Sequence, residues 1–279
     1  MTIRAENFAF VCQLLKQRAA ITLTANKSYL VNTRLLPVAR AAGLDSVDEL
    51  IDQLRRAPAD ASLQKIVEAM TTNETSFFRD GAPFDILCDV VLPELVKRRA
   101  AERTIHIWSA ACSSGQEPYT IAMLWLERFA HLSNWRVKLL ATDISTEMLD
   151  RAIRGRYTTL EVGRGLPAEH REKYFQQDGD HWQIDPRVRS MVEFRALNLS
   201  GAWPVVPAMD VVLLRNVMVY FDLPTKQEIL RKVRTVLRPD GYLFLGGTET
   251  TLMIDDAFDR VATPAGSYYS LKRSPSRNP

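Results

Sequence analysis

The chain has 279 residues, 46% hydrophobic and 25% charged, the proportions of a soluble globular protein long enough for two domains and a full core. A net charge of +3 excludes a general nucleic-acid binder on composition. Cys12, Cys88 and Cys112 lie far apart, with no CxxC and no paired histidine, which speaks against a disulfide framework or zinc site and fits a reducing cytoplasm. Arg4 and Glu6 stand where a signal peptide needs apolar residues, and no apolar run of about 18 residues offers a membrane span. The expectation is a cytoplasmic protein.

Residues 1–71 read as helices alone. Asn7–Arg18 spaces Phe8, Val11, Cys12, Leu14 and Leu15 on one helical face. Asn26 is positioned to cap a second helix running to Ala42, kinked at Pro37 and stopped by Gly43. Ser46 with Glu49 forms a capping-box pattern before a third helix, and Ala61–Met70 is a fourth. Residues 1–44 carry Arg4, Lys16, Arg18, Lys27, Arg34 and Arg40 against Glu6 alone. That imbalance is either a solvated helical surface or a docking face for an acidic partner.

Residues 72–82 are polar, with two adjacent aromatics and a glycine, and read as a linker. Pro83 then opens an amphipathic helix to about Arg99. From Thr104 strands and helices alternate. Strands are expected at 104–109, 137–142, 191–197, 209–214 and 242–245, with helices at 118–131, 145–154 and 224–237. This order predicts a mainly parallel, doubly wound α/β sheet. Phe258–Thr263 and Ser267–Leu271 form a closing antiparallel pair around Pro264-Ala265-Gly266. At about 155–190 the alternation breaks, and Asp178-Gly179 between two aromatic-bearing runs marks a hairpin in a small β insertion. Ser274–Pro279 reads as a disordered tail.

The turn after the first strand, Ser109-Ala-Ala-Cys-Ser-Ser-Gly115-Gln-Glu-Pro118, opens a helix with small residues, so a ligand can approach the backbone. With one glycine it is a poor dinucleotide fingerprint, and Glu117 puts a carboxylate where phosphates would sit. A cationic or zwitterionic ligand suits it better. Asp143, ending the second strand, is placed either to accept ribose hydroxyls or to cap the helix at Ser145. Together these features point to a nucleoside-bearing ligand at the carboxyl edge of the sheet.

Three further strings are more specific: Asn73-Glu-Thr-Ser-Phe-Phe-Arg79, Ala141-Thr-Asp-Ile144 and Leu214-Arg-Asn-Val-Met-Val-Tyr-Phe221. With Cys112-Ser-Ser-Gly-Gln-Glu-Pro-Tyr119 they resemble the CheR family, the chemotaxis receptor glutamate methyltransferases, and the likeness runs over nearly the whole chain. The resemblance implies a small all-α N-terminal domain (1–71), a linker (72–82) and a doubly wound, Rossmann-like S-adenosylmethionine-dependent methyltransferase domain (83–279) with the β insertion. It implies S-adenosylmethionine as methyl donor, S-adenosylhomocysteine as product, and no metal.

Carried residue by residue, it gives Asn73, Thr75, Arg79, Glu117, Asp143, Asn198, Leu199, Arg215 and Asn216 as cofactor contacts. Arg79 and Tyr220 face the reacting carboxylate and methyl group. Phe77, Phe78 and Phe221 are expected to pack. The implied partners are methyl-accepting chemotaxis receptors, docked through the basic helices at Lys27 and Arg34 and through the β insertion, with the enzyme a monomer and neither nucleic acid nor membrane involved. Family members that tether a receptor peptide on the insertion carry a longer glycine-rich loop than the Asp178–Asp180 turn, which argues against tethering here.

Overall fold

The computed structural model describes residues 3–272, so the expected tail at Ser274–Pro279 lies outside the described residues. Four helices come first: α1 (Ala5–Ala19), α2 (Ser28–Ala41), α3 (Val47–Arg56) and α4 (Asp60–Met70). They share a core of Val11, Leu15, Val31, Leu35, Ile51, Ile66 and Val67, all fully buried. Each such side chain contributes roughly 1.5–3 kcal/mol by leaving water. Inside this bundle Asn7 is buried but satisfied, donating to Asp48 (2.8 Å) and Asp52 (3.1 Å) and accepting from Arg55 (3.0 Å).

Two helix starts differ from expectation. Asn26 does not cap α2: its carboxamide oxygen accepts from the Thr24 hydroxyl, and residues Ala25–Lys27 form a 3-10 turn that feeds the helix. A side chain spent on a local turn is no longer available as a cap. At α3 the Ser46 hydroxyl accepts from Glu49 N–H (3.2 Å) as expected, but the Glu49 carboxylate reaches back to Asp45 N–H (3.2 Å) instead of closing the box on Ser46. α2 runs unbroken through Pro37.

The second unit opens with α5 (Ala82–Ile86) and α6 (Leu92–Arg98), joined end to end by the π turn Leu87–Val91. It continues as β1 (Thr104–Ala110), α7 (Gln116–Arg128), β2 (Arg136–Asp143) and α8 (Thr146–Arg154). The insertion supplies β3 (Arg156–Thr158), α9 (Thr159–Gly163), α10 (Ala168–Tyr174), β4 (Phe175–Asp178), β5 (His181–Ile184) and α11 (Pro186–Arg189). Then come β6 (Val192–Ala196), β7 (Met209–Leu214), α12 (Leu223–Val236), β8 (Leu237–Leu245), β9 (Phe258–Thr263) and β10 (Gly266–Leu271).

The main sheet has the order β6-β2-β1-β7-β8-β10-β9, parallel from β6 to β8 and closed by the antiparallel β10–β9 pair. The chain winds outward from β1 to β2 and β6 on one side, and from β7 onward on the other. The order therefore reverses between β1 and β7, and a crevice opens over their carboxyl ends. The insertion is a separate sheet, β3-β5-β4, whose β4–β5 hairpin closes through Gly179-Asp180, with Asp178 the last paired residue of β4.

One buried ion cluster ties the opposite, amino-terminal edge of the sheet. Arg99, just past α6, bonds Asp210 on β7 (2.7 Å) and Asp240 on β8 (2.6 and 3.0 Å). Asp210 is fully buried and also accepts from His106 N–H (2.8 Å).

Candidate active site

Over the crevice the linker 72–81 folds into an irregular cap. Phe78, Asp80 and Gly81 adopt left-handed backbone (φ 51°, 67° and 58°). Phe77 is fully buried, edge-on to Tyr157 and Phe175, and Phe78 packs edge-on against Phe84 and His170. These aromatics anchor the linker between the helical unit and the sheet. Gly165 passes under it so closely that a Cβ there would stand 2.3 Å from the Phe77 carbonyl.

All ten residues singled out in the sequence line one cleft. Asn73, Thr75 and Arg79 come from the linker and Glu117 from α7; Asp143 ends β2, Asn198 and Leu199 follow β6, and Arg215, Asn216 and Tyr220 follow β7. The helical unit supplies a wall that sequence reasoning missed: Ala19, Ile21, Leu23, Leu30 and Met70. An isolated antiparallel bridge between Ile21 and Phe221 joins this wall to the turn carrying Tyr220. Ala19, Ile21 and Leu23 stand between the two expected helices, at 7–18 and from Asn26, where no motif marked them.

The turn between β1 and α7 is drawn tight by left-handed backbone at Ala111, Ser113 and Gly115 (φ 61°, 50° and 92°). Glycine is required at 115, since a Cβ there would lie 2.9 Å from that of Ala152. Asp143 both braces this turn and caps the next helix: its carboxylate accepts from Ser113 N–H (2.8 Å) and Ser145 N–H (2.9 Å). Burial pushes its carboxyl above the usual range, and those backbone donors pull in the opposite direction. Each oxygen keeps a second lone pair for a hydroxyl donor.

Arg215 is almost fully buried. It bonds the Glu117 carboxylate (2.7 Å), the Arg79 carbonyl (2.8 Å) and Asp80 (2.9 Å), and its guanidinium lies over the Phe84 ring. Its Nε is buried with no acceptor among the described residues. Glu117 also accepts from the Ser109 hydroxyl (2.7 Å), so its position is fixed from two strands. The Asn198 side chain is spent on the protein, donating to the Arg18 carbonyl (2.5 Å) and accepting from Ser200 (3.0 and 2.8 Å). Leu197 and Leu199 present a buried apolar surface beside it.

Arg79 donates once, to the Glu74 carbonyl (2.7 Å), and its other guanidinium donors meet no acceptor among the described residues. Tyr220 is 37% exposed at the end of the 3-10 turn Met218–Tyr220. No histidine lines the cleft. The cysteine that does, Cys112, is buried, and desolvation raises its thiol well above the ordinary value, which disfavours the thiolate.

The basic residues expected to form one docking face divide. Arg34 turns inward, donating to the carbonyls of Met70 (2.7 Å) and Thr71 (2.8 Å) and to the Thr72 hydroxyl (3.0 Å), so it staples α2 to the linker. Arg4 is held by Asp48 and Asp52, and Arg18 pairs with Asp60 (2.6 Å). Lys27 stays exposed at the cleft.

A doubly wound sheet, an acid at the end of its second strand and a linker capping the crevice over the switch point define a nucleoside-binding α/β fold with a fused all-α unit. Comparison with known proteins sharpens the class. Residues 6–71 match the family model described as CheR methyltransferase, all-alpha domain, and residues 73–266 match that described as CheR methyltransferase, SAM binding domain. "Chemotaxis protein methyltransferase 1" of Pseudomonas aeruginosa is 39% identical over 277 residues, covering 98% of this chain and 100% of that protein. The protein of the same name from Vibrio cholerae is 38% identical, covering 98% of this chain and 99% of its own length. The chain belongs to the CheR methyltransferase family.

Proposed function

We propose that this protein transfers the methyl group of S-adenosylmethionine to glutamate side chains of methyl-accepting chemotaxis receptors, leaving a methyl ester and S-adenosylhomocysteine. The observation that carries this reading is the meeting of Arg79, its guanidinium largely unpaired, and Tyr220 in the same cleft as the buried Asp143 and Arg215 and the half-buried Glu117.

The cleft fits the cofactor. Asp143 offers free lone pairs to ribose hydroxyls, Leu197 and Leu199 offer an apolar face to a base, and Glu117 offers charge to an ammonium. The orphaned Arg215 Nε suits the carboxylate of an amino-acid tail. Bound there, the cofactor supplies an electrophilic methyl group on a sulfonium.

The chain's own part is alignment. A glutamate carboxylate, with an ordinary pKa of about 4.3, is already the nucleophile at neutral pH and needs no general base. That matches a cleft lined by neither a histidine nor an ionisable thiol. Arg79 can hold one carboxylate oxygen by forked hydrogen bonds, and Tyr220 can orient the other, so the attacking lone pair meets the methyl carbon in line. Closure by the aromatic-anchored linker excludes water from two opposite charges that neutralise each other in the reaction.

The exposed Lys27 beside the cleft would meet the acidic receptor surface, a role its charge supports, while Arg34 is committed to the linker. The test is transfer of labelled methyl from S-adenosylmethionine to a purified receptor signalling fragment. Label released as methanol by alkali and mapped to glutamate supports the reading. Base-stable label, or transfer only to small molecules, defeats it.

A further inference from the structure

Resting on the methyl-transfer reading above, we infer that Glu249 is a positioning residue that sets the two halves of the cleft through its two carboxylate oxygens. Glu249 stands in the loop after β8 and does not line the cleft. Its Oε2 accepts from Asn216 N–H (2.8 Å) and Gly246 N–H (2.6 Å), and its Oε1 accepts from Met218 N–H (2.7 Å). One side chain thus ties the loops that leave two neighbouring parallel strands.

The local backbone is built around that carboxylate. Asn216 is held left-handed at φ 59°, a conformation asparagine tolerates better than other non-glycine residues but adopts only when the surroundings demand it. Gly246 leaves room for it: a Cβ there would lie 2.7 Å from Glu249 Oε2, 2.7 Å from Asn216 Nδ2 and 2.9 Å from Asn216 N. Three converging N–H donors call for a group that only accepts, which an ionised carboxylate is and a carboxamide is not.

The two oxygens serve different parts of the site. Oε2 fixes Asn216, next to the buried Arg215 on the cofactor side. Oε1 fixes Met218, the first residue of the turn that ends at Tyr220 on the acceptor side. A glutamine can keep its single carbonyl oxygen on the Asn216 and Gly246 donors, but its NH₂ then faces Met218 N–H, donor against donor. The substitution therefore loosens the Tyr220 turn while keeping the Asn216 clamp.

The full-length chain is compared with Glu249→Gln and Glu249→Ala. S-adenosylhomocysteine affinity is read by calorimetry, and receptor methylation is expressed as kcat per titrated S-adenosylhomocysteine site, a ratio that a simple loss of folded protein does not change. Glu249→Gln is expected to bind S-adenosylhomocysteine within threefold of the parent, while kcat per site falls about ten- to a hundredfold, the cost of misplacing a reacting group by about 1 Å. Glu249→Ala is expected to lose at least tenfold in S-adenosylhomocysteine affinity as well. Parental kcat per site in Glu249→Gln overturns the inference, as does an equal fall in its affinity and turnover, which marks a general loosening of the fold. If the parent itself methylates no receptor, the functional reading fails separately. The contrast in affinity between the two variants still decides the role of Glu249, and equal affinities in both overturn it.

Discussion

Asp143→Asn removes one charge and almost no volume, and the structure says what else it removes. The carboxylate accepts from Ser113 N–H at 2.8 Å and Ser145 N–H at 2.9 Å, one donor per oxygen. A carboxamide has a single acceptor oxygen, so one of these buried N–H groups must face an NH₂, at a cost of about 1–3 kcal/mol. Part of that cost is returned, because burial already raises the Asp143 carboxyl above its ordinary value and the neutral amide escapes the desolvation penalty. Fold stability should therefore change little. Ligand affinity is different: a hydrogen bond from a ribose hydroxyl to a charged acceptor is worth roughly 1.5–3 kcal/mol. At about 1.4 kcal/mol per decade, its loss weakens S-adenosylhomocysteine binding roughly ten- to a hundredfold. Calorimetry on the parent and variant, with a melting curve as control, reads both numbers. A Kd within threefold of the parent would refute the reasoning and leave Asp143 as no more than a helix cap.

Arg79→Ala should lower receptor methylation at least about a hundredfold, because Arg79 makes a single hydrogen bond in the cleft, while Arg34 and Arg215 are engaged by the protein. Turnover at the parental rate would remove Arg79 from the mechanism. Arg99→Ala leaves Asp210 buried without its main cation, and urea unfolding should show a loss of about 3–5 kcal/mol; less than 1 kcal/mol would mean the cluster is already compensated. The Cys88 thiol is pushed up to about 12 by burial, from an ordinary 9.0. Its folded pKa lies above the unfolded one, so its contribution is fully present below pH 9 and lost as pH rises from 9 to 12. Melting temperature should accordingly fall across that window, and alkylation of Cys88 at pH 8 should require denaturant. Rapid native labelling at pH 8 contradicts the assignment.

The main sheet was legible because its central strands carry apolar runs, such as Val211–Leu214 in a strand where every residue is buried. Most of the site was legible because three of its four specific strings stand at strand ends that the sheet's switch point brings together, while Asn73–Arg79 reaches the cleft from the linker. Short-range logic failed where a side chain had two possible partners. Asn26 went to Thr24 instead of capping α2, and Arg34 went inward to the linker carbonyls instead of facing solvent. The strand expected at 242–245 is longer than its apolar run, for β8 already begins at Leu237, paired with Met209 across an irregularity in the register. The three-residue β3 is too short to carry a period and exists because β5 lies beside it. Glu249 was invisible for a deeper reason: its three donors belong to residues that become neighbours only after β7 and β8 pair.

The most direct measurement is a crystal structure of the chain with S-adenosylhomocysteine. The account predicts the nucleoside in the cleft under the linker, ribose hydroxyls on Asp143, base against Leu197 and Leu199, and the sulfur directed toward Arg79 and Tyr220. Density for the ligand outside that cleft, or a cleft closed to it with Arg79 turned to solvent, contradicts it.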